Sequence, residues 1–125
     1  MENENLTVLL VDDEEPVRET TEAMLEVLGY NVETAPNGIE ALEIYNKKKD
    51  VIDVVLLDMS MPKMSGKETL IKLLEINPSI KVIISSEYDI DGPVKELLEI
   101  GATTAFQKPF RMQELKKLLS DVLDA

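Results

Sequence analysis

Residues 51–58 read VIDVVLLD, an apolar, branched run that ends on an acid. A run of that density fits a strand covered on both faces, as in a parallel sheet, better than a strand with one face in water. Asp58 then stands as a polar stop at the carboxyl end of the strand. Three further runs end in the same way. LTVLLV (residues 6–11) stops at Asp12 and Asp13, KVII (81–84) at Ser85 and Ser86, and TTAFQ (103–107) at Lys108 and Pro109. If the four runs are parallel strands of one sheet, all four stops share one edge. That edge carries three carboxylates, hydroxyl groups and one ammonium.

Stretches with helical spacing separate the runs. Glu15–Leu28 places Val17, Thr21, Met24, Leu25 and Leu28 on one side, with Asp13 or Glu14 as cap, Pro16 in the first turn and Gly29 as stop. Asn31–Ala35 reads as a short second strand. Asn37–Tyr45 predicts a helix with Ile39, Leu42 and Tyr45 inward, and Lys47, Lys48 and Lys49 as its solvated basic end. Asp53–Leu57 is the third strand, and Ser65–Ile76 a helix stopped by Asn77 and Pro78. Lys81–Ile84 follows as the fourth strand, then a helix over Asp91–Ile100, capped by Asp91 and stopped by Gly101. Thr104–Gln107 is the fifth strand. Arg111–Leu123 closes the chain as a helix with Met112, Leu115, Leu118, Leu119, Val122 and Leu123 on one side.

Strict alternation of strand and helix predicts an α/β fold, a doubly wound (βα)5 domain with right-handed crossovers. The common order for five parallel strands is 2-1-3-4-5, the flavodoxin-like arrangement. Ligands of such sheets bind outside the carboxyl ends, where the strand order reverses. Here the reversal falls between strands one and three, which carry Asp12, Asp13 and Asp58. The whole chain, residues 1–125, is expected to form one domain.

Composition narrows the chemistry. The chain has no Cys, so disulfides, thiolate nucleophiles and Cys-bound zinc are excluded, and no His, which removes the commonest general base and metal ligand. Lys and Arg total 13 against 25 Asp and Glu, a net charge of −12 that repels phosphate backbones and argues against direct nucleic-acid binding. No apolar stretch is long enough to span a bilayer, and the acidic start MENENL lacks the regions of a signal peptide. A cytoplasmic protein with no membrane contact is expected.

Each stop also has an ordinary explanation. Asp13 can cap a helix, Asp58 can open a turn, Ser85 and Ser86 can satisfy loop backbone, and Lys108 can be a solvated lysine. None of these explains why three acids and one lysine share an edge. A divalent metal, a phosphoryl group carried by an aspartate and a cation to balance it do require such a set, which points to a phospho-aspartate switch.

The segments VLLVDDE (residues 8–14), VVLLDMSMPKMSG (54–66), IISSEYD (83–89) and GATTAFQKPF (101–110) resemble response-regulator receiver domains, and the likeness covers essentially the whole chain. The D-M-x-M-P-x-M-x-G segment is specific when an acidic pair lies 45 to 46 residues before its Asp and Lys-Pro lies 50 residues after it. The resemblance implies that Asp58 accepts the phosphoryl group. It implies that Asp13 ligates Mg2+ (or Mn2+), with Asp12 direct or through water, Asp58 itself, and the Ser60 backbone carbonyl completing the set. Ser86, 22 residues before Lys108, matches the family's switch hydroxyl. Lys108 would pair with a phosphoryl oxygen, and the bond to Pro109 is often cis in such domains. The donor would be a histidine kinase or histidine phosphotransfer protein. An output partner, which the sequence does not name, would read the face built from the fourth helix, fifth strand and fifth helix (the α4-β5-α5 face). The chain is not expected to be an enzyme beyond its own phosphorylation and dephosphorylation.

Two positions depart from the family pattern. The aromatic usual three residues before the lysine is replaced by Ala105, with Phe106 beside it, and neighbouring strand residues face opposite ways. Glu87 stands where a small residue is usual, and its carboxylate is expected to hinder small anionic phosphodonors. Met59, next to the acceptor, is a further modulating position. Two other classes share the expected architecture. A flavodoxin-like cofactor module would need hydroxyl- and glycine-rich phosphate loops and stacking aromatics, yet aromatics make up 4% of this chain. A pseudo-receiver would keep the fold as a phosphorylation-independent interaction module.

Overall fold

The computed structural model describes residues 6–59, 64–86, 92–108 and 111–123. The elements are β1 (Thr7–Val11), α1 (Glu15–Val27), β2 (Asn31–Ala35), α2 (Gly38–Lys48), β3 (Ile52–Asp58), α3 (Gly66–Ile76), β4 (Val82–Ser86), α4 (Gly92–Ile100), β5 (Thr104–Gln107) and α5 (Met112–Leu123). All four strand pairings are parallel, in the order β2-β1-β3-β4-β5 that the alternation predicts.

Two apolar cores flank the sheet. Leu9, Val11, Val55, Leu57, Val82 and Ile84 pack with Ala41 and Tyr45 of α2, Leu70 and Leu73 of α3 and Leu97 of α4. Val8, Leu10, Val54, Leu56 and Ile83 pack on the opposite face with Leu25 of α1 and Leu115, Leu119 and Val122 of α5. Successive residues of each central strand thus alternate between the two cores, which is why these strands read as unbroken apolar runs.

Helix ends follow local rules. Asn37 and Ser65 accept the Glu40 and Glu68 amides at 2.9 and 3.1 Å, so both are caps and each helix starts one residue later than its expected first residue. Gly29, at φ 99°, terminates α1: its N–H donates to the Glu26 carbonyl and the Tyr30 N–H to that of Leu25, a paired closure that needs a left-handed residue. The expected side-chain cap of α1 is corrected. Glu14 occupies the cap position without a side-chain capping hydrogen bond, and it is Asp12 whose Oδ1 accepts the Glu14 N–H at 2.9 Å.

Ile39 is a second correction, because it is 43% exposed rather than inward. The helix α2 buries Gly38, Ala41 and Tyr45 instead. A Cβ on Gly38 would collide with the Thr69 hydroxyl, so close approach to α3 sets the rotation of α2 and turns Ile39 to solvent. Lys47, Lys48 and Lys49 are exposed at the end of α2 as expected, and the Lys48 Nζ makes a surface ion pair with Glu33 at 2.8 Å. The expected Asp91 cap lies outside the described residues. Among the described residues no helix is long and apolar enough to cross a membrane.

Candidate functional site

β1 and β3 run side by side with Val11 opposite Leu57, so the next residues, Asp12 and Asp58, emerge together at the carboxyl edge. Both follow the alternation of Val8, Leu10, Val54 and Leu56 and leave the sheet toward the α1/α5 side. Their burial is nearly complete, at 3% exposure for Asp12 and 5% for Asp58. Two carboxylates at that depth need a counter-charge. Lys108 supplies it from one residue past β5, with Nζ 2.8 Å from Asp12 Oδ2 and 3.5 Å from Asp58 Oδ1. The Lys108 N–H also donates to the Ser86 carbonyl, continuing the β4–β5 ladder and fixing the lysine backbone.

Burial of the ammonium opposes its charge, but the hydrogen bond to Asp12 and the charges of Asp58 and Asp12 outweigh this and hold the Lys108 pKa above the ordinary lysine value. Lys108 is therefore a permanent cation at neutral pH.

Asp13 is exposed, and its carboxylate joins those of Asp12 and Asp58 so that one oxygen of each lies within 4.8 Å of the others. Three hard oxygen donors, one of them open to water, fit a small divalent cation that keeps part of its hydration shell. Ser60, the expected backbone ligand, lies outside the described residues, as do Glu87 and Pro109.

Ser85 and Ser86 are both buried. Ser85 is the cross-strand partner of Asp58, with its hydroxyl 3.5 Å from the Leu57 carbonyl, and Ser86 follows as the last residue of β4. β5 keeps a regular register, Ala105 opposite Ile84 and Phe106 opposite Ser85. Ala105 packs on the core under α4, and alternation turns Phe106 to the other side. No irregularity of β5 brings Phe106 to the Ala105 position.

Met59 is half-buried, and its N–H donates to the Ser85 carbonyl at 3.0 Å, extending the ladder past Asp58. Two contributors were not anticipated. Gly66 donates its N–H to the Met59 carbonyl at 3.2 Å, and a Cβ there would lie 2.8 Å from that oxygen. Its presence in the D-M-x-M-P-x-M-x-G segment was the available signal. Arg18 on α1 donates from Nη1 to the Asp12 backbone carbonyl at 2.8 Å. A contact to main chain leaves no complementary residue to find in sequence.

Residues 8–120 match the family described as response regulator receiver domain. The chain belongs to that family. As a receiver domain of two-component systems it is similar to sporulation initiation phosphotransferase F of Bacillus subtilis, 36% identical over 119 residues, covering 95% of this chain and 94% of that one. It is 37% identical to the transcriptional regulatory protein ZraR of Klebsiella oxytoca over 98% of this chain but only 27% of that protein. Its fold superposes with a TM-score of 0.89 and 31% identity on a chain of the CheX–CheY–BeF3–Mg2+ complex of Borrelia burgdorferi, covering 94% and 88% of the two chains.

Proposed function

We propose that the chain, as one receiver domain, is a phospho-accepting switch that takes a phosphoryl group onto Asp58 from a histidine kinase or histidine phosphotransfer protein. The observation that carries this reading is the buried Lys108 ammonium, 2.8 Å from Asp12 and 3.5 Å from Asp58. Structural capping calls for no buried triad of this kind, whereas an acyl phosphate calls for a fixed cation at its oxygens.

In the reaction one Asp58 carboxylate oxygen attacks phosphorus in line. The bond from phosphorus to the donor atom breaks, and the leaving group keeps the electron pair. Lys108, anchored by Asp12, stands ready to meet charge on the phosphoryl oxygens. Asp12, Asp13 and Asp58 would hold Mg2+ or Mn2+, with the Ser60 carbonyl, and the bound cation would supply charge neutralisation at those same oxygens. The apolar cores on either side keep bulk water from the rear of the acceptor. Ser86 would then move toward the phosphoryl group and bias the α4-β5-α5 face, which output partners read. Ala105 leaves its own position on β5 without a ring to reorient, so Ser86 would carry the coupling in place of an aromatic there. The domain would catalyse only its own phosphorylation and dephosphorylation.

Intact mass after incubation with Mg2+ and acetyl phosphate or phosphoramidate tests the reading. One added phosphoryl group, labile in base and absent from Asp58→Asn, is expected. A chain that gains no phosphoryl group from either donor or from a histidine phosphotransfer protein is a pseudo-receiver.

A further inference from the structure

Asp12 is restrained at four points. Its N–H donates to the Ala35 carbonyl at 3.1 Å, its Oδ1 accepts the Glu14 N–H at 2.9 Å and its Oδ2 meets Lys108 at 2.8 Å. The fourth contact is the Arg18 guanidinium on its carbonyl oxygen at 2.8 Å. Main-chain groups do not supply that bond: among the described residues no backbone N–H reaches the Asp12 carbonyl, and the residue four places on, Pro16, has none to offer. A helical side chain leans toward the amino end of its helix, so Arg18, in the first turns of α1, reaches back over the β1–α1 turn.

Asp13 sits between two peptide units that are held in different ways. Arg18 holds the preceding one by its carbonyl, and Asp12 Oδ1 holds the following one by its N–H. Among the described residues no side chain holds the Asp13 carboxylate itself, which is exposed. Its placement therefore follows the backbone that carries it. Arg18 also has no carboxylate partner among the described residues, in a chain with 25 acids and 13 bases. Its visible contact is the carbonyl.

We propose that Arg18 is a positioning residue for divalent-cation binding: by locking the Asp12–Asp13 peptide it aims the Asp13 carboxylate at the cluster formed with Asp12 and Asp58. The inference rests on the reading of that cluster as a cation site. Two effects of Arg18 on a divalent cation oppose each other. Its charge repels the cation, so removing the charge alone would tighten binding. Its hydrogen bond orients a ligand, and losing a partner that orients a metal ligand typically weakens affinity by about tenfold or more. A guanidinium bonded to the carbonyl and partly open to water has a screened charge, while the bond geometry is unscreened. The positioning effect wins.

Isothermal titration of the whole chain with Mg2+ decides the matter, beside metal-free melting curves that report the folded fraction. Arg18→Met keeps the apolar stem and is expected to weaken the Mg2+ Kd about tenfold. Arg18→Lys, which retains a donor and the charge, is expected to fall between the two. Arg111→Met removes a cation from the same edge of the sheet without touching Asp12, and is expected to leave the Kd within about twofold. If Arg18→Met binds Mg2+ as tightly as the unchanged chain or more tightly, or if Arg18→Lys is as weak as Arg18→Met, the positioning role is overturned. If Arg18→Met fails to fold, the Arg18→Lys result decides alone, and an unchanged Kd overturns the role. No Mg2+ binding by the unchanged chain overturns the reading of the cluster, and this inference with it.

Discussion

At the amino edge of the sheet, Asp53 accepts the Thr7 N–H at 2.8 Å, filling a break in register where Thr7 opposes Ile52 and Val8 opposes Val54. Beside it the Lys81 ammonium donates to the Val122 carbonyl near the end of α5, also at 2.8 Å. At the carboxyl edge Asp12, Asp58 and Lys108 meet one another instead, all with side chains below 10% exposure. The same residue types therefore do different work. Asp53 and Lys81 each satisfy one backbone group, as the ends of strands and helices require. At the carboxyl edge Asp12 also accepts the Glu14 N–H, but Lys108 answers two buried carboxylates that the backbone did not call for. An acid that bonds main chain alone is structural, and acids gathered around one buried cation indicate a site.

Breaking the contrast at its strongest point gives the largest effect. Lys108→Met leaves Asp12 and Asp58 buried without a cation and is expected to destabilise the metal-free protein by about 3–5 kcal/mol in urea unfolding. Mg2+ should restore more stability to this variant than to the unchanged chain. The Lys108 pKa is raised on folding, so its contribution is fully present below the ordinary lysine pKa of about 10.4 and is lost only as pH rises through the folded value. The Lys108 contribution to the stability gap between Lys108→Met and the unchanged chain should therefore stay flat from about pH 6 to about pH 9, below the ordinary lysine pKa. A gap that closes in that range would contradict a permanently charged Lys108.

Gly66→Ala probes the support of the carboxyl edge rather than its charge. Its Cβ must displace the Met59 carbonyl, at an expected cost of about 1–3 kcal/mol, together with weaker Mg2+ binding as the chain after Asp58 shifts. Stability lost with Mg2+ affinity unchanged would show that the acceptor loop does not depend on this contact. The smallest effect belongs to the amino edge. Lys81→Met removes a donor to the α5 carbonyl end and should cost about 1 kcal/mol with no change in Mg2+ affinity. A shift in affinity there would break the division between the two edges.

Much of this was legible in the chain. Asp58, Lys108 and the Asp12-Asp13 pair each end an apolar run, and the order of strands brings run ends together whatever the details of packing. Gly29 and Asn37 announced helix boundaries because capping depends on a few neighbouring dihedrals. Ile39 was misread because spacing alone does not say how far α2 is rotated, and the contact of Gly38 with Thr69 decides that. The cap of α1 was misread because a capping side chain needs an N–H two or three residues on, Pro16 offers none, and the acid that does bond main chain here is Asp12, on the Glu14 N–H.

The sequence by itself determined the α/β alternation, the sheet order and the edge on which the acids gather, because periodicity and polar stops are properties of consecutive residues. Tertiary structure alone decided that Lys108 sits closer to Asp12 than to Asp58, that Ser85 rather than Ser86 lies opposite Asp58, and that Arg18 holds the Asp12 carbonyl. The first two choices depend on distances of a few ångströms between strand ends far apart in the chain, and the third, though local, on a main-chain group that every residue carries alike.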